Sequence, residues 1–85
     1  MALRISYFAW VREAVGIAGE DAPVPATART IGDVVAWLHA RGGHGAAAFA
    51  DAHRLRAALD NHMATMDTPI AGAQELALFP PVTGG

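Results

Sequence analysis

The chain has 85 residues, of which 53% are hydrophobic and 16% are charged, and its formal net charge is −2. This composition predicts one compact domain and excludes an intrinsically disordered chain. The charge gives no reason to expect nucleic-acid binding, which commonly requires a basic patch. No apolar run approaches the roughly 18 residues of a membrane span, and no signal peptide opens the sequence. We therefore expect a cytoplasmic protein that binds neither nucleic acid nor membranes.

Two absent residue types limit the chemistry that the chain can perform. It contains no cysteine, so no side-chain thiol can form a disulfide or hold a persulfide. Its six basic residues are all arginine, so no lysine is available as an isopeptide acceptor. Any sulfur that the chain carries must therefore be attached to the terminal carboxylate.

The first third of the chain predicts a strand, a short helix and a possible edge strand. Residues 3–8 alternate, with Leu3, Ile5 and Tyr7 on one face and polar or aromatic residues on the other. Residues 9–15 are typical of a helical turn that stops near Gly16. Prolines interrupt residues 19–28, so any strand there must lie at the edge of a sheet.

One longer helix is predicted from Thr30 onwards. Thr30 is a suitable N-cap, and Asp33 three residues later approximates a capping box. Apolar side chains follow at helical spacing, at Ile31, Val34, Val35 and Leu38. The glycine pair at 42–43 ends the helix.

The remainder predicts a crossover and three short strands. Residues 44–53 are alanine-rich and suit a short helix or an irregular connection. Residues 55–59 alternate as a third strand, Asp60-Asn61 is a turn candidate, and residues 62–66 form a fourth strand. The last strand begins at Glu75, with Leu76 and Leu78 on one face. This order favours a single mixed sheet covered on one face, in the α+β class.

The end of the sequence predicts a tail that projects from the domain. Pro80-Pro81 must end the last strand, because proline cannot donate a ladder hydrogen bond. The following Gly84 and Gly85 have no side chains and could enter a narrow slot with a terminal carboxylate in front. We therefore predict a domain at residues 1–79 and a tail at residues 80–85.

Two segments resemble a known family. The segment from Phe79 to Gly85 (FPPVTGG) is similar to the C-terminus of the small, sulfur-carrying subunit of molybdopterin synthase, the MoaD family, and Tyr7 to Glu13 (YFAWVRE) is similar to its first strand and turn. The resemblance implies a ubiquitin-like β-grasp fold: a mixed five-stranded sheet with one main helix packed on one face, and parallel first and last strands. It also implies a role in molybdenum cofactor synthesis.

The resemblance implies a particular reaction at Gly85. A ubiquitin-activating-like adenylyltransferase would use ATP to adenylate the Gly85 carboxylate, and a sulfur donor would convert it to a thiocarboxylate. The large synthase subunit, in a heterotetramer with this chain, would then receive the sulfur for a pterin precursor. The catalytic acids and bases would belong to these partners, and the chain itself would bind no cofactor.

Candidate partner-binding residues lie around the tail. Strand parity places Phe8 and Phe79 opposite the core residues of their strands, so neighbouring strands would form one exposed aromatic patch. Alternatively, the turn at Trp10 could cover both aromatics as a second small cluster. The resemblance adds Arg12 and Met63 near the patch, and it assigns the tail residues Pro80, Pro81, Val82, Thr83 and Gly84 to partner binding.

Other functions remain open at this point. The carrier could serve thiamine, tungsten-cofactor or tRNA-thiolation pathways, or the chain could be a ubiquitin-like modifier or an adaptor with an inert tail. Two loop positions depart from the family, because Ala73-Gln74-Glu75 replaces a usual Gly-Asp-Glu turn and Asp60 replaces a common asparagine. The four histidines show no metal-ligand spacing, and no nucleophile motif is present. We therefore predict no metal site and no catalytic site within the chain.

Overall fold

A five-stranded mixed sheet organises the computed structural model, which describes residues 1–81. The sheet order is β2-β1-β5-β3-β4. Its elements, in chain order, are β1 (Ala2–Tyr7), α1 (Ala9–Val15), β2 (Gly19–Pro23), α2 (Ile31–Arg41), two 3-10 turns (Ala46–Phe49 and Ala52–Arg54), β3 (Arg56–Leu59), β4 (His62–Ala64) and β5 (Glu75–Phe79).

The first and last strands lie side by side in the middle of the sheet. β1 pairs with β5 in parallel, with Ile5 opposite Leu76 and Tyr7 opposite Leu78. β5 pairs with β3 in the antiparallel direction, so the last strand is bonded on both sides. The predicted parallel pairing and mixed sheet are therefore confirmed.

One face of the sheet is covered by α2. Leu3, Ile5 and Tyr7 of β1 are buried with Leu76 and Leu78 of β5, in agreement with the sequence alternation. The four apolar residues predicted on the helix join the same core, namely Ile31, Val34, Val35 and Leu38. The prediction of one main helix packed on one face is confirmed, and α1 adds only a short second helix.

The ends of α2 follow the predicted capping chemistry. The Thr30 hydroxyl accepts a hydrogen bond from the Asp33 amide at 3.2 Å, and the Asp33 carboxylate accepts one from the Thr30 amide at 3.2 Å. The helix stops at Arg41, and Gly42 follows it with a φ of 73°, which favours glycine.

The crossover after α2, predicted as a short helix or an irregular connection, is helical in two short pieces. It consists of the two 3-10 turns, and Phe49 is buried with its ring centroid 5.9 Å from that of Tyr7. Gly45 permits the close approach to α1: it has a φ of 85°, and a Cβ there would lie 2.5 Å from the Ala14 carbonyl oxygen. This glycine therefore fixes the crossover against α1.

The predicted strand limits needed small corrections. β4 ends at Ala64 rather than Met66, because the Met66 carbonyl accepts a hydrogen bond from Gly32 at the start of α2. This bond turns the chain away from the sheet. The Asp60-Asn61 turn between β3 and β4 is confirmed, with φ values of 48° and 69° at its two residues.

Candidate docking surface and carrier tail

The second face of the sheet presents exposed and half-buried side chains. We call it the open face, and its residues are Arg4 and Ser6 of β1, Glu75, Ala77 and Phe79 of β5, Arg56 and Ala58 of β3, and Met63 of β4. Its middle row consists of small side chains, because Ser6 lies opposite Ala77 and Ala77 lies opposite Ala58. A partner could therefore approach the middle of this sheet closely.

The two predicted aromatic residues lie at the end of the open face from which the tail departs. The Phe8 amide donates a hydrogen bond to the Leu78 carbonyl at 3.1 Å, which continues the parallel register and places Phe8 beside Phe79. The Phe8 side chain is 51% exposed and Phe79 is half-buried. The positions agree with the predicted aromatic patch, and its role in partner binding stays a prediction.

In the alternative prediction the turn at Trp10 covers both aromatic side chains, and for Phe8 this is not the case. Trp10 is half-buried and lines a groove together with His53, Arg54, Pro80 and Pro81. The Trp10 ring also packs under the Arg54 guanidinium, whose carbon lies 5.0 Å from the ring centroid. Trp10 therefore lines the same groove as the diproline and leaves Phe8 about half exposed.

The other predicted partner-binding residues occupy different parts of this region. Met63 is 71% exposed and lies opposite Ala58 on the open face. Arg12 is exposed and lies on α1, so it is not part of the sheet. Pro80 and Pro81 are half-buried where the chain leaves β5. The remaining predicted residues, Val82, Thr83, Gly84 and the reacting Gly85, lie outside the described residues.

A partly buried hydrogen-bond network at the edge of the covered face was missed in the sequence. The Tyr7 hydroxyl donates to the Glu20 carboxylate at 2.7 Å, and Arg41 binds both oxygens of that carboxylate at 3.0 and 2.9 Å. Burial is the main cause that raises the pKa of Tyr7, and the Arg41 hydrogen bonds are the main cause that lowers the pKa of Glu20. The network connects β1, β2 and the end of α2, which no local pattern could reveal.

The two loop positions that depart from the family pattern, Asp60 and the segment at 73–75, contact each other. The Asp60 carboxylate accepts hydrogen bonds from the Gln74 and Glu75 amides, both at 2.9 Å. These two bonds, that from Glu75 first, lower the pKa of Asp60. Asp60 therefore joins the β3–β4 turn to the start of β5, where the unusual Ala73-Gln74-Glu75 sequence lies.

Neither a metal site nor a membrane helix is present in the part of the chain that the structure describes. Within residues 1–81, no three histidine, aspartate or glutamate side chains come together in a way that could hold a metal ion. Over the same residues, no helix combines the length and apolar character needed to cross a membrane.

The sheet order, the parallel β1–β5 pair and the single covering helix define a ubiquitin-like β-grasp protein. The ThiS family model matches residues 5–85. The molybdopterin synthase sulfur carrier subunit of Escherichia coli (strain K12) is 34% identical over 83 residues, which cover 98% of this chain and 99% of that protein. The chain therefore belongs to the ThiS family.

Solved structures agree with the fold. SAMP1 from Haloferax volcanii superposes with a TM-score of 0.73 and 25% identity, with both chains covered completely. A putative molybdopterin converting factor, subunit 1, from Pyrococcus furiosus superposes with a TM-score of 0.70, covering 96% of this chain and 99% of that one. At 19% identity, the second similarity supports the fold alone.

Proposed function

We propose that this chain is the sulfur carrier of molybdopterin synthase. In this proposal an adenylyltransferase activates the Gly85 carboxylate with ATP, because a free carboxylate is a poor electrophile. A sulfur donor then displaces AMP and leaves a thiocarboxylate. The large synthase subunit receives the tail and transfers its sulfur to a pterin precursor. The proposal rests first on the near full-length similarity to the Escherichia coli sulfur carrier subunit.

The position at which the tail leaves the fold supports this proposal. β5 is held on both sides, by β1 up to Leu78 and by β3 up to Phe79. The diproline at 80–81 follows at once, so the predicted tail begins directly after the last strand. The ordered base reduces the conformational entropy lost on docking, which is roughly 1–2 kcal/mol for each free residue.

The open face supplies a docking surface next to that tail. Phe8 and Phe79 lie beside the departure point, and the small residues of the middle row adjoin the exposed Met63. We propose that the large subunit and the activating enzyme both bind here while the tail enters their active sites. A shared surface would make the two complexes mutually exclusive, as sequential steps on one carrier require.

A ubiquitin-like modifier is the second candidate function. The observation that favours it is the structural similarity to SAMP1 from Haloferax volcanii, because a related Haloferax volcanii structure is that of small archaeal modifier protein 1, with 23% identity and a TM-score of 0.63. In that case Gly85 would be joined to lysines of other proteins. The two functions share the activation step and differ in the acceptor.

Altering the terminus tests the carrier function. We expect deletion of Gly85, or addition of one residue after it, to abolish thiocarboxylate formation and precursor conversion. One residue displaces the reacting carbonyl by about 3.3 Å, and misplacement by about 1 Å can cost a hundredfold in rate. The measurement is the intact mass of each variant after incubation with ATP, the activating enzyme and a sulfur donor.

Two controls make the result specific. Circular dichroism should show an unchanged fold, since the altered residues follow the last strand. Intact masses of the chain from its host then separate the functions: replacement of oxygen by sulfur supports a carrier, and covalent protein adducts support a modifier. Normal sulfur loading and normal precursor conversion by either terminal variant would refute the proposed function.

A further inference from the structure

Two arginines lie near the point at which β5 ends, and no sequence pattern singled out either of them. Arg56 lies opposite Phe79 on the open face, and Arg54 lines the groove with Trp10 and the diproline. Both side chains are exposed. The chain therefore leaves β5 next to two positive charges that come from the same short segment.

Like Arg12 and Arg29, and unlike Arg4 and Arg41, these two arginines form no ion pair with a carboxylate in residues 1–81. Arg41 binds Glu20 at 2.9 Å, and Arg4 lies 3.6 Å from Asp21. Among residues 1–81, no carboxylate lies within 4.0 Å of the guanidinium nitrogens of Arg54 or Arg56. Their observed contacts are the Trp10 ring for Arg54, and the His53 and Leu55 carbonyls at 3.3 and 2.9 Å for Arg56.

The nearest acids in the sequence do not neutralise this end of the sheet. Asp51 accepts a hydrogen bond from the His53 amide at 3.0 Å, as the cap of its turn. Glu13 lies one helical turn after Trp10 on α1 and forms no ion pair in residues 1–81. The acids of the β3–β5 pair lie at its other end, where Asp60 binds the amide of Glu75. The acidic residues therefore lie at the Glu75 end of β5 and the two arginines at its Phe79 end, about 13 Å away.

We infer that Arg54 and Arg56 recognise an acidic protein surface, presented by the large synthase subunit or the activating enzyme around the slot that receives the tail. This inference rests on the proposed function. Arg56 lies opposite Phe79 and Arg54 lines the groove with the diproline, so both charges lie near the end of the apolar docking surface and can form its polar rim. Charged groups at such a rim steer association and orient the partner, and their contribution weakens as salt increases.

A protein partner fits this arrangement better than a small anion does. Arg56 belongs to the open face by strand register, whereas Arg54 is stacked on Trp10 in the groove. One phosphate would need donors that converge on a single point. An extended carboxylate-bearing rim can contact both guanidinium groups beside the end of β5.

Binding measurements over a range of salt concentrations test this inference. The large subunit and the activating enzyme are each titrated by calorimetry with full-length wild type, Arg54→Gln, Arg56→Gln and the double variant. We expect each substitution to weaken binding to at least one of them by about three- to tenfold at low salt, and by less than about twofold at 0.5 M NaCl. Arg29→Gln is the matched control, because Arg29 is equally exposed but lies just before α2.

The readouts distinguish three failures. Wild-type affinity in Arg54→Gln and in Arg56→Gln, with an unchanged salt dependence for both partners, would overturn the inference and leave the carrier function intact. A saturable complex of free wild type with inorganic phosphate or AMP, lost in Arg54→Gln, would overturn it in favour of an anion site. Absence of any wild-type complex with either protein would refute the proposed function together with this surface. Thermal melts accompany each variant, and Arg54→Gln removes no hydrogen bond observed in residues 1–81.

Discussion

The two faces of the sheet are built from the same strands but obey different constraints. On the covered face, Ile5, Tyr7, Leu76 and Leu78 are at most 1% exposed and pack together under α2. On the open face, the same strands present small, charged and aromatic side chains, and Phe8 at their end is 51% exposed. Burial explains the first set, because removing apolar surface from water is the main stabilising term in folding.

The second set cannot be explained by stability of the isolated chain. An exposed phenylalanine beside a half-buried one contributes little to the core, yet both lie next to the tail. Exposed apolar groups that cluster in this way commonly mark binding surfaces. We therefore expect substitutions on the covered face to alter the free energy of unfolding, and substitutions on the open face to alter affinity.

The largest effect is expected on the covered face. Leu78→Ala should lower the free energy of unfolding by about 2–5 kcal/mol, because the side chain is fully buried and its loss leaves a cavity. Urea denaturation followed by circular dichroism measures the change. Ala77→Ser, one residue away on the open face, is the control and should remain close to wild type. Equal losses in both variants would contradict the assignment of the faces.

The second largest effect is expected on the affinity for a partner protein. Phe8→Ala should weaken the complex with the large subunit or the activating enzyme by on the order of 2 kcal/mol, as truncation of an interface aromatic commonly does. Its free energy of unfolding should change by less than about 1 kcal/mol, because half of the side chain is already exposed. Calorimetric titration and urea denaturation are compared for the same preparation. Unchanged affinity together with a large loss in the free energy of unfolding would place Phe8 in the core instead.

The Tyr7–Glu20–Arg41 network should make a smaller, pH-dependent contribution to the free energy of unfolding. Glu20→Gln is expected to lower the free energy of unfolding at pH 7 by about 1–2 kcal/mol, because hydrogen bonds to a partly buried carboxylate are lost. The folded state lowers the pKa of Glu20 from its ordinary value of 4.5, so this stabilisation is complete above pH 4.5 and is lost as the pH falls further.

Urea denaturation from pH 7 to pH 3 checks the sign of this effect. The difference between wild type and Glu20→Gln should shrink as the solution is acidified below pH 4.5. Glu13→Gln is the control, since Glu13 is exposed and lies outside the network. A difference that stays constant or grows in acid would show that the carboxylate charge is not the stabilising feature.

Local patterns predicted most of the fold. Period-two alternation identified the core side of β1 and β5, and the Thr30–Asp33 capping box identified the start of α2. These signals are short-range, because each depends only on residues within one strand or one helix. The parallel pairing of β1 with β5 was different, because it joins residues about 70 positions apart and came from the family resemblance.

The candidate site was predictable only in part, for the same reason. Parity placed Phe8 and Phe79 together once the two strands were assumed to be neighbours. No sequence pattern could show that Arg54 stacks on Trp10, or that Glu20 joins Tyr7 to Arg41, because those contacts depend on how the crossover and the helices pack. Long-range polar contacts must be read from the structure.

The smallest effect is expected at the end of β5 farthest from the tail, where Asp60 accepts hydrogen bonds from the Gln74 and Glu75 amides. Asp60→Asn should stay near wild type at neutral pH, because an amide oxygen can accept both bonds and asparagine tolerates the positive φ of 48°. Asp60→Gly should lower the urea midpoint more, because glycine keeps the turn conformation but has no acceptor.

Measuring stability in acid tests the same contact a second time. The two amide hydrogen bonds lower the pKa of Asp60 from 3.8, so its stabilising contribution is complete above that pH and is lost as the pH falls below it. The wild type should therefore approach Asp60→Asn or fall below it in stability near pH 3. Asp67→Ala, at an exposed loop position, is the control for general acid effects. If Asp60→Gly matched that control at pH 7, the carboxylate bridge would contribute nothing, and the unusual 73–75 turn would have to be held by its backbone hydrogen bonds, among them those from Ala73 to Ile70 and from Arg4 to Gln74.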